Sequence, residues 1–542
     1  MPNFPTQNNK MIFETEQQRV GLTTLPPEIL HNVLYFVSPK DLARVSRTNK
    51  QLHSFVLNNG PLCRDIYLRL LDDPSESAAG ADLDWQQELR DFVRLTRVCS
   101  KEWREKAPEL RFVHDVVVRL LNRSSCSDRT NAKRTRNAVT FSPSRNTALL
   151  AHIFEDESTR RAFLCQSFIW QRARGKGKYF ERPPKPEHQM SARLHCLYGV
   201  PQLDMAMIFE EIPEEIPPDQ MSEMDKQNGI FAFALAKVYD LREFHPRATW
   251  GPFLADDSGR VDWERLEAIM IAIKHGVSRM GLEEEHLLFD VCWNRPFEGA
   301  WKNSYVPMPL THPADDDLDK YDPFGVSGTY LRVICFLDYG DFFNFNFHNG
   351  VIELTGELVT NDMPRPIVPV GEASRLMMMK IHVTKIEKLE GRAEEEKGPD
   401  AVVVHFAGFT ELLHGFGSQN LSSTIKGKVR LTPDGEVRWT TISVFAGQER
   451  WSSEGIQIGG PKSAKCIVGN WFDVNHDPTG PVGPSAFWKI SDRDPEVNDD
   501  KFSTSDVLPW FYPSGNGPVP DGVETEEIII DDHSISGSET DD

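Results

Sequence analysis

Apolar residues between positions 22 and 56 recur every three or four residues, which is the spacing of short amphipathic helices. Pro26 suits the first position of a helix, because its missing N–H would find no intrahelical partner there in any case. Glu28 adds a negative charge where a helix N-terminus favours one. The pattern therefore predicts a first helix whose apolar face consists of Leu25, Ile29, Leu30, Val33, Leu34 and Val37.

Two more helices are predicted directly after the first. Ser38, followed by Pro39 and by Asp41 three positions on, is typical of an N-cap, and Leu42 and Val45 continue as an apolar face. A third apolar face then begins, and the polar run at 58–61 ends it. Its members are Leu52, Phe55 and Val56.

Three short helices in roughly 45 residues bury too little apolar surface to be stable alone. The stretch contains a single cysteine, Cys63, and no metal-binding spacing, so neither a disulfide nor a metal can staple it. The missing surface must come either from the rest of this chain or from a second protein.

Helical spacing continues through the middle of the chain, in 85–103, 111–123 and 144–174, with a polar, basic loop before the last of these. The sequence around Gly259 suggests a calcium loop, but Arg265 would occupy the position that needs a carboxylate. We therefore expect a turn that leads into a helix through Leu266, Ile269 and Ile273. Residues 71–326 are predicted to be mainly helical.

From about residue 327 the apolar period changes from helical to alternating. Phe343, Phe345 and Phe347 alternate with polar residues, which predicts a strand, and Pro433–Gly435 predicts a hairpin turn. We expect an antiparallel barrel or sandwich over 327–490, since so many strands need a closed or stacked sheet. Further strands are predicted at 376–389, 401–409, 425–432, 435–445 and 463–472, with Gly455, Gly459, Gly460 and Gly469 at turns or bulges.

Composition and charge narrow the class of protein. The net charge of −21 argues against a general nucleic-acid binder, and a local excess of Lys and Arg over 97–178 favours a solvated helix surface over a patch for an acidic partner. No apolar run reaches the roughly 18 residues of a membrane span, and the polar N-terminus is unlike a secretory signal. We therefore expect no membrane association and a location in the cytoplasm, the nucleus or both.

The predicted N-terminal helices resemble the F-box. The resemblance covers residues 22–70, and one departure lies near its end, where the family often has a Trp and this chain has Leu62, Cys63 and Arg64. The segments 244–276, 427–445 and 451–490 are similar to what fungal F-box proteins carry downstream. The matching positions are Leu25, Pro26, Glu28, Ile29, Leu30, Val33, Leu34, Asp41, Leu42, Val45, Ser46, Asn49, Lys50 and Leu52.

The resemblance implies a function. F-box helices dock on a Skp-type adaptor and thereby on a cullin ubiquitin ligase, while a C-terminal domain recruits the protein to be ubiquitinated. No repeat of 20 to 50 residues is visible, so the β-rich region is the expected recognition domain. Carried over by position, the adaptor-facing residues are Leu25, Pro26, Ile29, Leu30, Val33, Leu34 and Leu42.

A second function stays open, a β-barrel that binds a small ligand or acts as an enzyme and whose F-box regulates its own turnover. Trp439, Trp451, Trp471 and Trp488 would line a pocket in that case, although core packing explains each of them more simply. The sequence contains none of the nucleophile-elbow, P-loop, dinucleotide-binding or zinc-protease motifs, so we expect a non-catalytic subunit without cofactor or metal.

The last segment, 491–542, is acidic and rich in Pro, Gly and Ser, which predicts a disordered tail. Within it Ile528, Ile529 and Ile530 stand between pairs of acidic residues and resemble a SUMO-interaction motif, which adds a strand to the edge of its partner. The predicted organisation is a disordered 1–21, an F-box over 22–70, the helical 71–326, the β-rich 327–490 and this tail.

Overall fold

The computed structural model describes most of the chain between residues 21 and 491. From residue 492 onward the predicted tail lies outside the described residues. The described ranges are 21–74, 83–125, 144–173, 185–199, 223–279, 295–301, 304, 318–347, 373–388, 402–412 and 423–491.

The N-terminal stretch forms short helices, as the apolar spacing predicts. A 3₁₀ turn at Leu22–Thr24 precedes them, and a fourth helix follows the predicted three, because Asn59 caps a new helix directly after the predicted stop. The helices are α1 (Pro27–Tyr35), α2 (Pro39–Val45), α3 (Lys50–Leu57) and α4 (Gly60–Leu70).

The middle of the chain is helical, as predicted. The long helix predicted after Gly259 is present, and Gly259 itself has a φ of +67°, in the left-handed region that glycine adopts without strain. The helices are α5 (Trp85–Cys99), α6 (Trp103–Lys106), α7 (Leu110–Asn122), α8 (Arg145–Phe154), α9 (Glu157–Leu164), α10 (Phe168–Ala173), α11 (Pro186–Tyr198), α12 (Glu223–Tyr239) and α13 (Trp263–Arg279).

The C-terminal half forms a closed barrel of eight antiparallel strands, which is one of the two architectures predicted for it. Each strand pairs with the next along the chain, and the last pairs with the first, which leaves no free edge. The strands are β1 (Gly328–Phe336), β2 (Ala373–Lys388), β3 (Val402–Leu412), β4 (Ser423–Leu431), β5 (Val437–Phe445), β6 (Gln448–Gln457), β7 (Ile467–Asp473) and β8 (Gly483–Ser491).

The strand predicted from the alternating phenylalanines is wrong, because residues Tyr339–Phe347 form a helix, α14. Asp338 accepts hydrogen bonds from the backbone N–H groups of Gly340 and Asp341, which starts the helix. Phe343 and Phe347, four positions apart, then pack against each other with ring centroids 4.5 Å apart. Alternating residues also include pairs four apart, so local capping decided the helix here.

The predicted placement of four glycines is half right. Gly459 and Gly460 lie in a turn with φ of +96° and +90°. Gly455 and Gly469 lie instead inside strands β6 and β7, where they face each other in register. A Cβ on Gly469 would stand 1.9 Å from the carbonyl oxygen of Glu454, so the close approach of the two backbones excludes a side chain there.

One apolar core runs from the N-terminal helices through the middle helices to the outer wall of the barrel, and a second fills part of the barrel interior. The first core includes residues on both sides of the predicted domain boundaries at 70/71 and 326/327, so these boundaries stay predictions. Among the described residues, no helix is long and apolar enough to cross a membrane. Within that same part of the chain, no three His, Cys, Asp or Glu side chains are grouped to hold a metal ion.

Candidate protein-docking surface on the N-terminal helices

Helix α1 carries two apolar faces that meet different surroundings. Leu30 and Leu34 point into the core, with 6% and 1% of their surface exposed. Ile29 and Val33, on the neighbouring face, are 48% and 43% exposed. The inner face is therefore already packed by this chain, while the outer face is open to a partner.

The structure divides the predicted adaptor-facing residues into two groups. Leu30, Leu34 and Leu42 are buried, so they hold the helices together in the core. Leu25 is partly buried against the same core. Contact with a partner is open to the exposed members, Pro26, Ile29 and Val33.

Phe36 extends the open face and was not among the predicted residues. It lies directly after α1, three positions beyond Val33 and seven beyond Ile29, and it is 73% exposed. Residues spaced by four and three positions share one side of a helix. Ile29, Val33 and Phe36 therefore form one apolar stripe, here called the outer stripe, and its continued spacing was the signal in the sequence that pointed to Phe36.

The turn between α1 and α2 is fixed by capping. The Ser38 hydroxyl accepts a hydrogen bond from the Asp41 backbone N–H at 3.1 Å and donates one to the Asp41 carboxylate at 2.8 Å. Arg44 pairs with the same carboxylate at 2.8 Å. The Ser38 hydrogen bond and then Arg44 hold the pKa of Asp41 below its usual range. The predicted N-cap at Ser38 is thus confirmed.

Helix α4 holds α1 in place from behind. Asp65 lies 3.1 Å from the His31 ring nitrogen, and Arg69 donates hydrogen bonds to the carbonyls of Phe36 and Val37 at 3.2 and 3.0 Å. A guanidinium at the last carbonyls of a helix satisfies them and matches the sign of the helix dipole. The backbone that presents the outer stripe is therefore fixed at its C-terminal end.

A groove of about 290 Å³ lies on another side of these helices, between α2, α3 and α5. Its apolar wall includes Val56 and Leu57, and Leu57 is 46% exposed. Arg90, Arg94 and Arg97 line the α5 side with exposed guanidinium groups, of which that of Arg94 pairs with a neighbouring glutamate. The groove is a second place where these helices offer apolar surface next to charge.

The N-terminal helices are joined to the middle helices by a buried carboxylate. Asp72 is 1% exposed and accepts hydrogen bonds from the backbone N–H groups of Ser125 and Arg145 and from the Ser144 hydroxyl. Its own N–H donates to the side chain of Asn146 at 3.0 Å. The docking surface is thus anchored to the rest of the described fold by satisfied polar contacts.

The other sequence candidates are placed as follows. Trp439 and Trp488 are core residues with 1% exposure each, Trp471 is 8% exposed and Trp451 is partly buried beside it, with their ring centroids 5.1 Å apart. The tail residues Ile528–Ile530 lie outside the described residues.

Comparison with known proteins bears on the same region. Residues 22–69 match the family model of F-box-like domains. The chain therefore carries an F-box-like domain, formed by α1 to α4, followed by a helical region and a C-terminal β-barrel. Neither a curated protein nor a solved structure matches the chain.

Proposed function

We propose that this protein is the substrate-recognition adaptor of an SCF-type cullin ubiquitin ligase. Domains of the F-box type generally bind Skp-type adaptors, and the observation that carries the proposal is the outer stripe within the matched residues. An apolar stripe left in water on an otherwise packed helix is typical of a protein interface. In this proposal the chain is a non-catalytic subunit that works in the cytoplasm, the nucleus or both.

The barrel is the proposed site for the target protein. Its outer wall packs against α13 through β1, β7 and β8, so α13 takes up part of the outside. The strand ends and the remaining outer faces are the surfaces proposed for a target. The tail residues Ile528–Ile530 are proposed to bind SUMO, on the strength of their sequence.

The decisive experiment compares two exposed aromatic residues. Phe36→Asp places a carboxylate in the outer stripe, and Tyr321→Asp places one at a residue of similar exposure, 73% and 75%, outside the N-terminal helices. A purified Skp adaptor and the full-length chain are mixed, and binding is measured by calorimetry. We expect Phe36→Asp to weaken binding by about 2 kcal/mol or more, as for an interface anchor, and Tyr321→Asp to leave it unchanged.

Thermal unfolding of the two variants serves as the folding control, since neither side chain is buried. Unchanged adaptor binding by Phe36→Asp together with Val33→Asp would remove the outer stripe from the interface. Absence of adaptor binding by the unmodified chain would refute the adaptor function itself.

A further inference from the structure

The interior of the barrel contains an arginine. Residues that pair directly across neighbouring strands point to the same side of a sheet, and residues two apart on one strand share that side. Tyr330 of β1 belongs to the interior cluster, so Arg332 also points inward. Its register partners are Met377 of β2 and Phe487 of β8, and Phe487 is an interior residue as well.

Below Arg332 the barrel is filled by aromatic side chains. Tyr330, Phe406, Trp439 and Phe487 contact one another with ring centroids 5.4 to 6.0 Å apart. The Trp439 indole N–H donates to Gln457 at 3.0 Å, so its polar atom is satisfied. These rings form one layer across this level of the interior, here called the aromatic floor.

Beyond the floor the inward positions change character. They include short hydroxyl side chains, which occupy less of the interior than the rings do. The same register also turns Trp451 and Trp471 inward at this end of the barrel, where their two rings pack against each other. Thr410 and Ser423 hydrogen-bond each other at 2.7 Å, and Thr441 bonds Ser453. The inward hydroxyl residues, assigned from the strand register, are Thr410, Ser423, Thr441, Ser443, Ser453 and Ser485.

Among the residues that the structure describes, none supplies a counter-charge to the Arg332 guanidinium. The side chain is 3% exposed, its Nε has no hydrogen-bond partner, and no described residue forms an ion pair with it. Burial lowers the pKa of Arg332 to about 10, which still leaves the group charged at neutral pH. A buried cation without an anion is strongly unfavourable, and proteins rarely keep one.

We propose that the hydroxyl-lined half of the barrel binds a small amphipathic carboxylic acid, whose carboxylate pairs with Arg332. A planar guanidinium matches a carboxylate in a two-point hydrogen bond. The apolar body lies against Met377, Phe487 and the aromatic floor. A single cation among neutral hydroxyl and apolar groups suits a monoanion better than a phosphate dianion. An eight-stranded barrel is also wide enough to hold one small ligand.

Arg375 adds a second cation on the path to this site. It lies two positions before Met377 on the same side of β2, and it is exposed, with its guanidinium 5.0 Å from the centre of the Phe336 ring. An exposed cation at the end of a strand raises the local concentration of anions. Arg375 therefore attracts the acid, and Arg332 binds it.

Calorimetry on the full-length chain tests the proposal with octanoate and 1-naphthoate as acids and 1-octanol as the uncharged control. We expect one acid or both to bind with a Kd of about 1 mM or lower, and Arg332→Met to weaken that binding about tenfold or more. Arg430→Met, the same change on an outward-facing residue of β4, is the matched control and should bind the acid normally. 1-Octanol should not distinguish the variants.

Two further results separate ligand binding from a structural role. Arg332→Lys keeps the charge but loses the planar fork, so it should bind the acid with intermediate affinity. Without ligand, Arg332→Met should melt at a higher temperature than the unmodified chain, because it removes an unpaired buried charge. No binding of either acid at 10 mM, equal binding by Arg332→Met, or a lower melting temperature of that variant would each overturn the proposal. None of these measurements involves the F-box.

Discussion

At helix α1 the apolar side chains of Ile29, Val33 and Phe36 are exposed to solvent. On strand β1, by contrast, the charged side chain of Arg332 is buried inside the barrel. Apolar surface in water and an unpaired charge in the interior are both unfavourable, but for opposite reasons. The partners that would relieve them are therefore opposite too, an apolar protein surface for the helix and an anion for the arginine. The exposed apolar residues and the buried arginine each lie next to well-packed residues, Leu34 on the helix and the aromatic floor in the barrel.

The comparison teaches how to separate packing from recognition within one element. On α1 the residues that build the fold and those that are free to bind alternate along the same helix, one position apart. On β1 the same division falls two positions apart, between Tyr330 in the floor and Arg332 above it. Substitutions at adjacent positions should therefore have effects on different properties.

The largest expected effect comes from the pair Leu34 and Val33. Leu34→Ala should lower the free energy of unfolding by about 2–5 kcal/mol, because it leaves a cavity at a residue that is 1% exposed. Val33→Ala should change it by less than about 0.5 kcal/mol, as expected for an exposed position. Urea unfolding of the full-length variants measures both values. Similar losses for the two variants would show that Val33 is packed in solution like Leu34, which would contradict the assignment of the outer stripe as an open surface.

Glu264 is a buried ionisable group that, unlike Arg332, has hydrogen-bond partners among the described residues. Its carboxylate accepts a hydrogen bond from the Phe168 backbone N–H at 2.7 Å and lies 3.8 Å from a His188 ring nitrogen. Burial raises the pKa of Glu264 to about 7, although Lys237 acts in the opposite direction. Its environment therefore favours the protonated, uncharged form.

Glu264→Gln should consequently change the pH dependence of stability. The folded pKa of Glu264 lies above its unfolded value of 4.5, so its contribution is fully present below pH 4.5 and is lost as the pH rises to about 7. Between pH 4.5 and 8 the free energy of unfolding of the unmodified chain should therefore fall by up to about 3 kcal/mol more than that of Glu264→Gln, at 1.36 kcal/mol per unit of pKa. Urea unfolding at the two pH values measures this difference. Parallel pH profiles would contradict it.

Much of the fold could be predicted from the sequence, because apolar period and capping are local. The spacing around Leu34 and the cap at Ser38 predicted α1 and α2, and Pro433–Gly435 predicted the turn between β4 and β5. The helix at 339–347 was missed because alternating phenylalanines fit a strand equally well. The choice of a barrel over a sandwich depends on β1 pairing with β8, a contact across more than 140 residues.

The candidate sites were less accessible to sequence reasoning. The pattern grouped Ile29 and Leu30 on one face, since a helix face is broad and only tertiary packing decides which side is covered. Arg332 stands inside an apolar strand, a signal that was present in the sequence. Its meaning required the register, which shows that the side chain points inward rather than toward solvent.

The smallest expected effect concerns the tail, which combines both kinds of group in one segment: an apolar run, Ile528–Ile530, between acidic pairs. Ser536 and Ser538 each have an acidic residue three positions on, a pattern that acid-directed kinases favour. Phosphate there would add negative charge beside a strand that docks on a basic groove. We expect phosphorylation to strengthen SUMO binding by about 1–3 kcal/mol through charge-assisted hydrogen bonds.

A peptide covering residues 521–542 tests this, titrated against SUMO in its unmodified and phosphorylated forms. The matched control replaces Ile528, Ile529 and Ile530 by Ala, which keeps every charge and removes the apolar contacts with the partner strand. Because β-augmentation depends on both the strand and its side-chain pockets, the control should not bind. Binding that survives the triple substitution would show that SUMO binds the tail through its charges alone. The isoleucines would then have no binding role comparable to that of the apolar outer stripe.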